Sequence, residues 1–140
     1  ARADESSGEY KLMALALPPD AVALVVEDEQ DLCELLAEQL SLLGFARVHQ
    51  LRDGAEVMPL VERLDSPLAL VVSDDSLPHV SGREVIAKLA AQGQCNRFLL
   101  ISGFWGVEEL PALPPSIRIE RLAKPFSTKR FHEAVRALLS

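Results

Sequence analysis

The chain has few cysteines, and those it has suggest neither a disulfide framework nor a metal cluster. It contains only Cys33 and Cys95, and neither occurs in a CxxC or other metal-ligand spacing. Cys33 falls within an apolar helical pattern, so we expect a buried free thiol at that position. This use of cysteine favours a reducing compartment.

Long apolar runs and a surplus of basic residues are also missing. No apolar run approaches the ~20 residues needed to cross a bilayer, and the polar, acidic start ARADESSGEY does not resemble a cleavable signal. We therefore expect a cytoplasmic segment without membrane insertion. The net charge of −7 argues against direct nucleic-acid binding. Lys129, Arg130 and Arg136 cluster near the C-terminus, where a solvated helix face explains them.

Glycine-rich nucleotide loops are absent as well. Neither GxxxxGK[ST] nor GxGxxG occurs, so if the protein handles phosphate, the donor must be external to this chain. A phosphorylated protein or a small phosphodonor would serve.

The length of 140 residues suits one domain with a core of its own. Residues 1–20 differ in composition and are interpreted as an N-terminal tail or interdomain linker. The more apolar part of this segment, KLMALALPPD, is either linker or an extra strand at the domain edge. The predicted domain spans residues 21–140.

Short apolar runs alternate with helical patterns along this domain. Strands are predicted at 21–26, 46–51, 68–72, 98–101 and 117–122. The first helix is predicted to have Asp31 as its cap and to end at Gly44. The second is predicted from Asp53 to about Leu64, with an interruption at Pro59. The third is predicted at 83–91, and the last follows a cap at Ser127.

Between the last two strands, three prolines (Pro111, Pro114 and Pro115) leave helical content only near 107–110. The alternation predicts an α/β fold of five βα units. It implies a doubly wound, five-stranded parallel sheet with helices on both faces and a short or distorted fourth helix.

Polar side chains follow four of the five predicted strands. Glu27 and Asp28 follow the first, Asp74 the third, and Ser102 and Lys124 the fourth and fifth. The carboxyl ends of parallel strands share one edge of the sheet, so these groups can converge. Considered alone, Asp74 and Asp75 could simply start a turn.

The converging groups suit phosphoryl chemistry. Three clustered carboxylates repel one another, and Mg²⁺ relieves that repulsion while retaining sites for phosphate oxygens. A hydroxyl and an ammonium group are suited to binding the phosphoryl oxygens. A carboxylate can itself be the nucleophile and form an aspartyl-phosphate.

Four segments in this order resemble the receiver domain of two-component response regulators, over residues 21–139. They are VVEDE (25–29), SDDSLPHVSG (73–82), LLISG (99–103) and AKPF (123–126). The residues of these motifs most resemble those of receivers attached to hybrid sensor kinases. The resemblance implies the flavodoxin-like strand order 2-1-3-4-5 and a signalling module rather than an enzyme. It would take a phosphoryl group from a histidine kinase or a histidine phosphotransfer protein.

The resemblance also implies a metal-binding acceptor. Asp74, four residues before Pro78, matches the phospho-accepting aspartate. Asp28 matches the main metal-binding acid, and Glu27 matches the acid that often binds the metal through water. The backbone carbonyl of Ser76 matches the third protein ligand of Mg²⁺ or Mn²⁺.

Other matched residues would bind the phosphoryl group. Ser102 matches the hydroxyl that hydrogen-bonds it, and Lys124 matches the lysine that pairs with it. Pro125 would follow Lys124 through a cis peptide bond, and Gly103 would keep the site accessible. Asp75 should project elsewhere, because successive residues of a strand point to opposite sides.

The chain departs from the family at its output side. Arg121 occupies the position of the usual Tyr or Phe switch residue, and Phe104 is a candidate for controlling water access to the phosphoryl group. The proline-containing segment makes a homodimer through the usual face doubtful. A non-standard face is the alternative.

Two other functions remain open. A hydrolase of the haloacid-dehalogenase kind would need an acid two residues after the nucleophile, where this chain has Ser76. A pseudo-receiver would only bind partners, and the complete set of acids, hydroxyl and lysine argues against it. His49, His79 and His132 are expected on the surface.

Overall fold

The computed structural model describes residues 15–103 and 112–140. Along this part of the chain the elements are β1 (Val22–Val26), α1 (Gln30–Leu43), β2 (Arg47–Leu51), a 3₁₀ turn (Gly54–Glu56), α2 (Val57–Val61), β3 (Leu70–Asp74), α3 (Gly82–Ala91), β4 (Arg97–Ser102), β5 (Arg118–Ala123) and α4 (Thr128–Leu139).

The five strands form one parallel sheet in the order β2-β1-β3-β4-β5, as predicted. β3 is the central strand, and all five of its residues are buried. Within the described residues no helix lies between β4 and β5. The short helix predicted near 107–110 lies outside them.

Two apolar cores lie on opposite faces of the sheet. Alternate strand residues point to opposite faces, so Val25 and Val72 pack with α1 and α4, whereas Leu24 and Val71 pack with α2 and α3. Because β1, β3 and β4 are covered on both faces, their sequences are continuous apolar runs.

The start of α1 differs from the prediction. The helix begins at Gln30, and Glu29 is its N-cap without a side-chain hydrogen bond. The prediction that Asp31 caps the helix is therefore wrong. Asp31 lies in the first turn instead, where a carboxylate is stabilised by the helix dipole. Gly44 ends the helix with φ of 123°, as predicted.

Helix α2 is shorter than predicted. It spans only Val57–Val61 and follows a 3₁₀ turn. Asp53 caps this turn, because its Oδ1 accepts a hydrogen bond from Ala55 N–H. Pro59 is the third residue of α2. Proline has no N–H and fits only the first turn of a helix, which requires the α-helix to begin close before it.

Helices α3 and α4 both begin at a serine cap. Ser81 and Glu84 form a reciprocal capping box at the start of α3, so this helix begins at Gly82. The Ser127 side chain accepts a hydrogen bond from Arg130 N, as predicted for α4.

The six described residues before the domain contact the far end of α1. Leu15 N–H donates to Leu43 O at 2.6 Å, and the side chains of Leu15 and Leu17 pack against the core. Residues 15–20 contain no strand.

The surface prediction for His132 is wrong. His132 is buried where α4 packs on α1, and its Nε2 lies 2.7 Å from Gln39 Oε1. Cys33 and Cys95 are both buried free thiols, as the sequence predicts for Cys33. Within the described ranges, none of the helices is both long and apolar enough to span a bilayer.

Candidate functional site

Asp74 is the last residue of the central strand β3, and its side chain is almost completely buried. The loop after it turns back at once, and Ser76 N–H donates to Asp74 Oδ1 at 3.0 Å. Gly82, the first residue of α3, packs directly on the Asp74 carbonyl, where a Cβ atom would not fit. One carboxylate oxygen is therefore held by the loop, and the backbone behind it is tightly packed.

Two further acids come from the neighbouring strand β1. One carboxylate oxygen from each of Glu27, Asp28 and Asp74 lies within 4.8 Å of the others. Glu27 is 1% exposed and its Oε2 accepts from Glu29 N at 3.0 Å, whereas Asp28 is exposed. The sheet order thus brings together the three acids that the sequence predicted as metal ligands.

Lys124 links two of these acids. Its Nζ lies 2.7 Å from Asp74 Oδ2 and 3.3 Å from Glu27 Oε1. Burial lowers the pKa of Lys124, but hydrogen bonding and charge from Asp74 and Glu27 outweigh it and raise that pKa above its ordinary value. The ammonium group is therefore charged throughout the neutral range. The Lys124–Pro125 peptide bond is cis, as predicted.

The surroundings of Glu27 disfavour its charged form. Burial, followed by the charge of Asp74, raises the pKa of Glu27 to about 7. Its Oε1 is buried, forms no close hydrogen bond within the described residues, and lies 3.3 Å from Lys124 Nζ. A buried carboxylate oxygen paired this weakly, beside two further carboxylates, is the environment that a hard divalent cation satisfies. The residues therefore fit Mg²⁺ or Mn²⁺.

Ser102 lies at the same edge of the sheet. It ends β4, is buried, and its carbonyl accepts from Lys124 N at 2.9 Å. Its neighbour along β4, Ile101, is in register with Asp74. Arg121, on β5, pairs in register with Leu100 of β4 and is exposed. The predicted gating residue Phe104 lies outside the described residues.

Asp75 is directed away from the acid cluster, as predicted, and the reason was not visible in the sequence. Its Oδ2 accepts from Arg83 Nε at 3.1 Å and from Nη2 at 2.9 Å, and its Oδ1 accepts from Arg83 N at 3.3 Å. No motif marks an arginine eight residues after an aspartate, so sequence reasoning missed Arg83.

An apolar groove of about 450 Å³ borders Lys124. Its walls come from the outer face of α1 and from the loop that leads into α4, and include Leu32, Leu35, Leu36, Pro125, Phe126 and Phe131. Leu35 is 44% exposed at this groove.

The fold and this acid–lysine site define a receiver-type signalling domain, and comparison with known proteins agrees. The sequence profile of the response regulator receiver domain matches residues 23–136. The chain belongs to the response regulator receiver domain family, within two-component signalling systems.

Similar proteins and structures are of the same kind. The chain is 29% identical over 126 residues to the sensor kinase CckA of Brucella abortus, covering 90% of this chain but only 13% of that protein. A response regulator receiver domain (CheY-like) from Methylobacillus flagellatus matches with a TM-score of 0.66 and 25% identity, over 85% of this chain and 98% of the other. The receiver domain of the hybrid histidine kinase CckA also has a TM-score of 0.66, with 24% identity, over 86% and 100%.

Proposed function

We propose that this receiver domain accepts a phosphoryl group on Asp74 from a phosphohistidine donor, with Mg²⁺ held by Glu27, Asp28, Asp74 and the Ser76 carbonyl. The observation that carries the proposal is the convergence of three carboxylates with Lys124 Nζ, 2.7 Å from Asp74 Oδ2. The donor would be a cytoplasmic histidine kinase or histidine phosphotransfer protein.

The transfer is a displacement at phosphorus. A carboxylate oxygen of Asp74 forms a bond to phosphorus while the P–N bond to the donor imidazole breaks, and the electron pair returns to the imidazole nitrogen. No proton has to leave Asp74, because the carboxylate is the nucleophile.

The residues of this chain orient the acceptor and accommodate charge. Ser76 N–H holds one Asp74 oxygen, and Lys124, which contacts the other, would neutralise charge on the incoming phosphoryl oxygens. Ser102, at the end of β4, would donate its hydroxyl to one of those oxygens. A bound Mg²⁺ would supply further neutralisation of the acids and of the phosphoryl oxygens.

Phosphorylation would act as the signal through its charge. A phosphoryl group adds negative charge where Lys124 pairs with Asp74 and Glu27, so the pairing must rearrange. Arg121 on the neighbouring strand β5, which replaces the family's aromatic residue, would take part in passing this change to a non-standard output face.

A protein donor would cover the groove beside Lys124. The exposed Leu35 lies on the α1 wall of this groove, next to the acceptor edge. Leu35→Glu should slow transfer from a phosphorylated protein donor but leave transfer from acetyl phosphate unchanged. Equal rates from the protein donor would argue against docking here.

The test of the function is intact-mass measurement after incubation with acetyl phosphate and Mg²⁺. We expect a base-labile adduct of one phosphoryl group on the wild type, none on Asp74→Asn, and an unchanged adduct on Asp65→Asn, the matched control at an exposed aspartate before β3. Loss of the adduct on omitting divalent cation would support the metal assignment.

The alternatives give different results in the same experiment. A pseudo-receiver would form no adduct with any donor. A hydrolase would turn over a small phosphate ester many times without accumulating the adduct. Either outcome would overturn the proposal.

A further inference from the structure

Asp75 directly follows the proposed acceptor Asp74 and lies outside the cluster of Glu27, Asp28 and Asp74. Instead, both of its oxygens are occupied by Arg83 in the first turn of α3.

The ion pair is well enclosed. The side chains of Arg83 and Asp75 are 21% and 15% exposed, and the guanidinium approaches one carboxylate oxygen through two nitrogens. Charge-assisted bonds with several donors are stronger and more directional than a single neutral bond. Such a pair fixes the relative position of the two segments that carry it.

Asp75, just after β3, and Arg83, in the first turn of α3, lie at the two ends of the loop that joins these elements. At the base of this loop Gly82 N–H donates to Asp75 O at 3.1 Å, and Gly82 packs on the Asp74 carbonyl. The loop contains Ser76, whose N–H donates to Asp74 Oδ1 at 3.0 Å. The position of Ser76 is therefore set by the closure that Asp75 and Arg83 complete.

We propose that Arg83 is a positioning residue for the metal site: by holding Asp75 it fixes the loop that presents Ser76. The proposal rests on the proposed function for the assignment of the metal ligands. It concerns residues 75 and 83, which are not themselves proposed to touch metal or phosphate.

The experiment separates positioning from charge. The double variant Asp75→Asn/Arg83→Gln removes the ion pair without changing net charge. Its affinity for Mn²⁺, measured by electron paramagnetic resonance at a temperature where urea curves show it fully folded, should fall by about tenfold, which is what losing an outer partner of a metal ligand typically costs. The Mn²⁺ affinity of Arg83→Lys, which keeps the charge but not the two-nitrogen contact, should lie between those of the wild type and the double variant.

A second ion pair between an arginine and a carboxylate serves as the control. Arg130 and Glu133 lie 3.9 Å apart on the exposed face of α4, and Arg130→Gln/Glu133→Gln also leaves net charge unchanged. This variant should bind Mn²⁺ as the wild type does.

The outcomes distinguish this inference from the proposed function. An unchanged Mn²⁺ affinity in the Asp75/Arg83 double variant overturns the positioning role, whatever the phosphorylation result. Wild-type protein that binds Mn²⁺ but is never phosphorylated on Asp74 overturns the proposed function and leaves the positioning role to be decided by the Mn²⁺ affinities alone.

Discussion

Lys124 Nζ and Asp74 Oδ2 lie 2.7 Å apart, although 50 residues separate them in the chain. The Asp74 side chain is 5% exposed and that of Lys124 is 29% exposed, so the pair is enclosed on the acid's side and open to solvent on the lysine's side. Removing Lys124 would therefore leave the Asp74 carboxylate as a poorly solvated charge.

Lys124→Met should destabilise the metal-free protein by about 1–3 kcal/mol, because Asp74 and Glu27 lose their common cation. Urea unfolding in EDTA measures the change, and adding Mg²⁺ should recover part of it. Lys129→Met, at an exposed position of α4, is the control and should change stability little. Equal stabilities of the two variants would contradict the prediction.

Gly82→Ala should lower the free energy of unfolding by about 1–3 kcal/mol, because the new methyl group would overlap the Asp74 carbonyl. Gly103→Ala is the matched control, since a Cβ there meets no described atom within 4 Å. Alanine favours a helix over glycine by about 1 kcal/mol. A stabilised Gly82→Ala protein would therefore show that helix propensity outweighs the steric overlap.

Arg118→Gln should weaken the C-terminal turn of α4. The Arg118 guanidinium donates to the carbonyls of Ala137 and Leu138, in the last turn of the helix, and to that of Ser140, its C-cap. The last carbonyls of a helix have no N–H partner in the helical ladder, so such a donor stabilises them. We expect a loss of about 1 kcal/mol and faster amide exchange confined to the last turn of α4. Arg130→Gln, at the exposed start of the same helix, should leave exchange in that turn unchanged.

His132 should make stability depend on pH. Burial, and then the charge of Arg136, lowers the pKa of His132, so below about pH 6.5 the unfolded chain binds more protons at this residue than the folded protein. Its contribution is present above the unfolded pKa and is lost as pH falls toward the folded pKa.

The measurement compares wild type with His132→Gln by urea unfolding at pH 7 and pH 5. Glu27, whose pKa is raised, changes stability in the opposite direction, but it does so in both proteins. The stability difference between them should therefore shrink at pH 5. A constant difference would show that His132 does not titrate in this range.

The positions of the strands could be predicted because a strand covered on both faces is a continuous apolar run. β1 was predicted at 21–26 and spans Val22–Val26, and β4 was predicted at 98–101 and spans Arg97–Ser102. Polar residues at the ends of such runs stand out. The acids after β1 and β3, and Lys124 after β5, are therefore identifiable from the sequence.

The ends of the helices were less predictable because several local alternatives compete. Asp31 and Glu29 both lie where a cap could form, and only the path of the chain after β1 places Glu29 there. The Ser81–Glu84 capping box, in contrast, is a local signature that the sequence does contain.

The sequence by itself therefore determined the parallel sheet and the polar residues that follow its strands, because strand burial and βα alternation are recorded in local patterns. The strand order followed from the resemblance to receiver domains. Only the tertiary structure decided the partners of individual side chains: Arg83 for Asp75, Gln39 for His132 and the end of α4 for Arg118. The last two contacts join residues 93 and about 20 positions apart. Such contacts depend on side-chain direction and on distances between packed elements, which no periodicity in the sequence encodes.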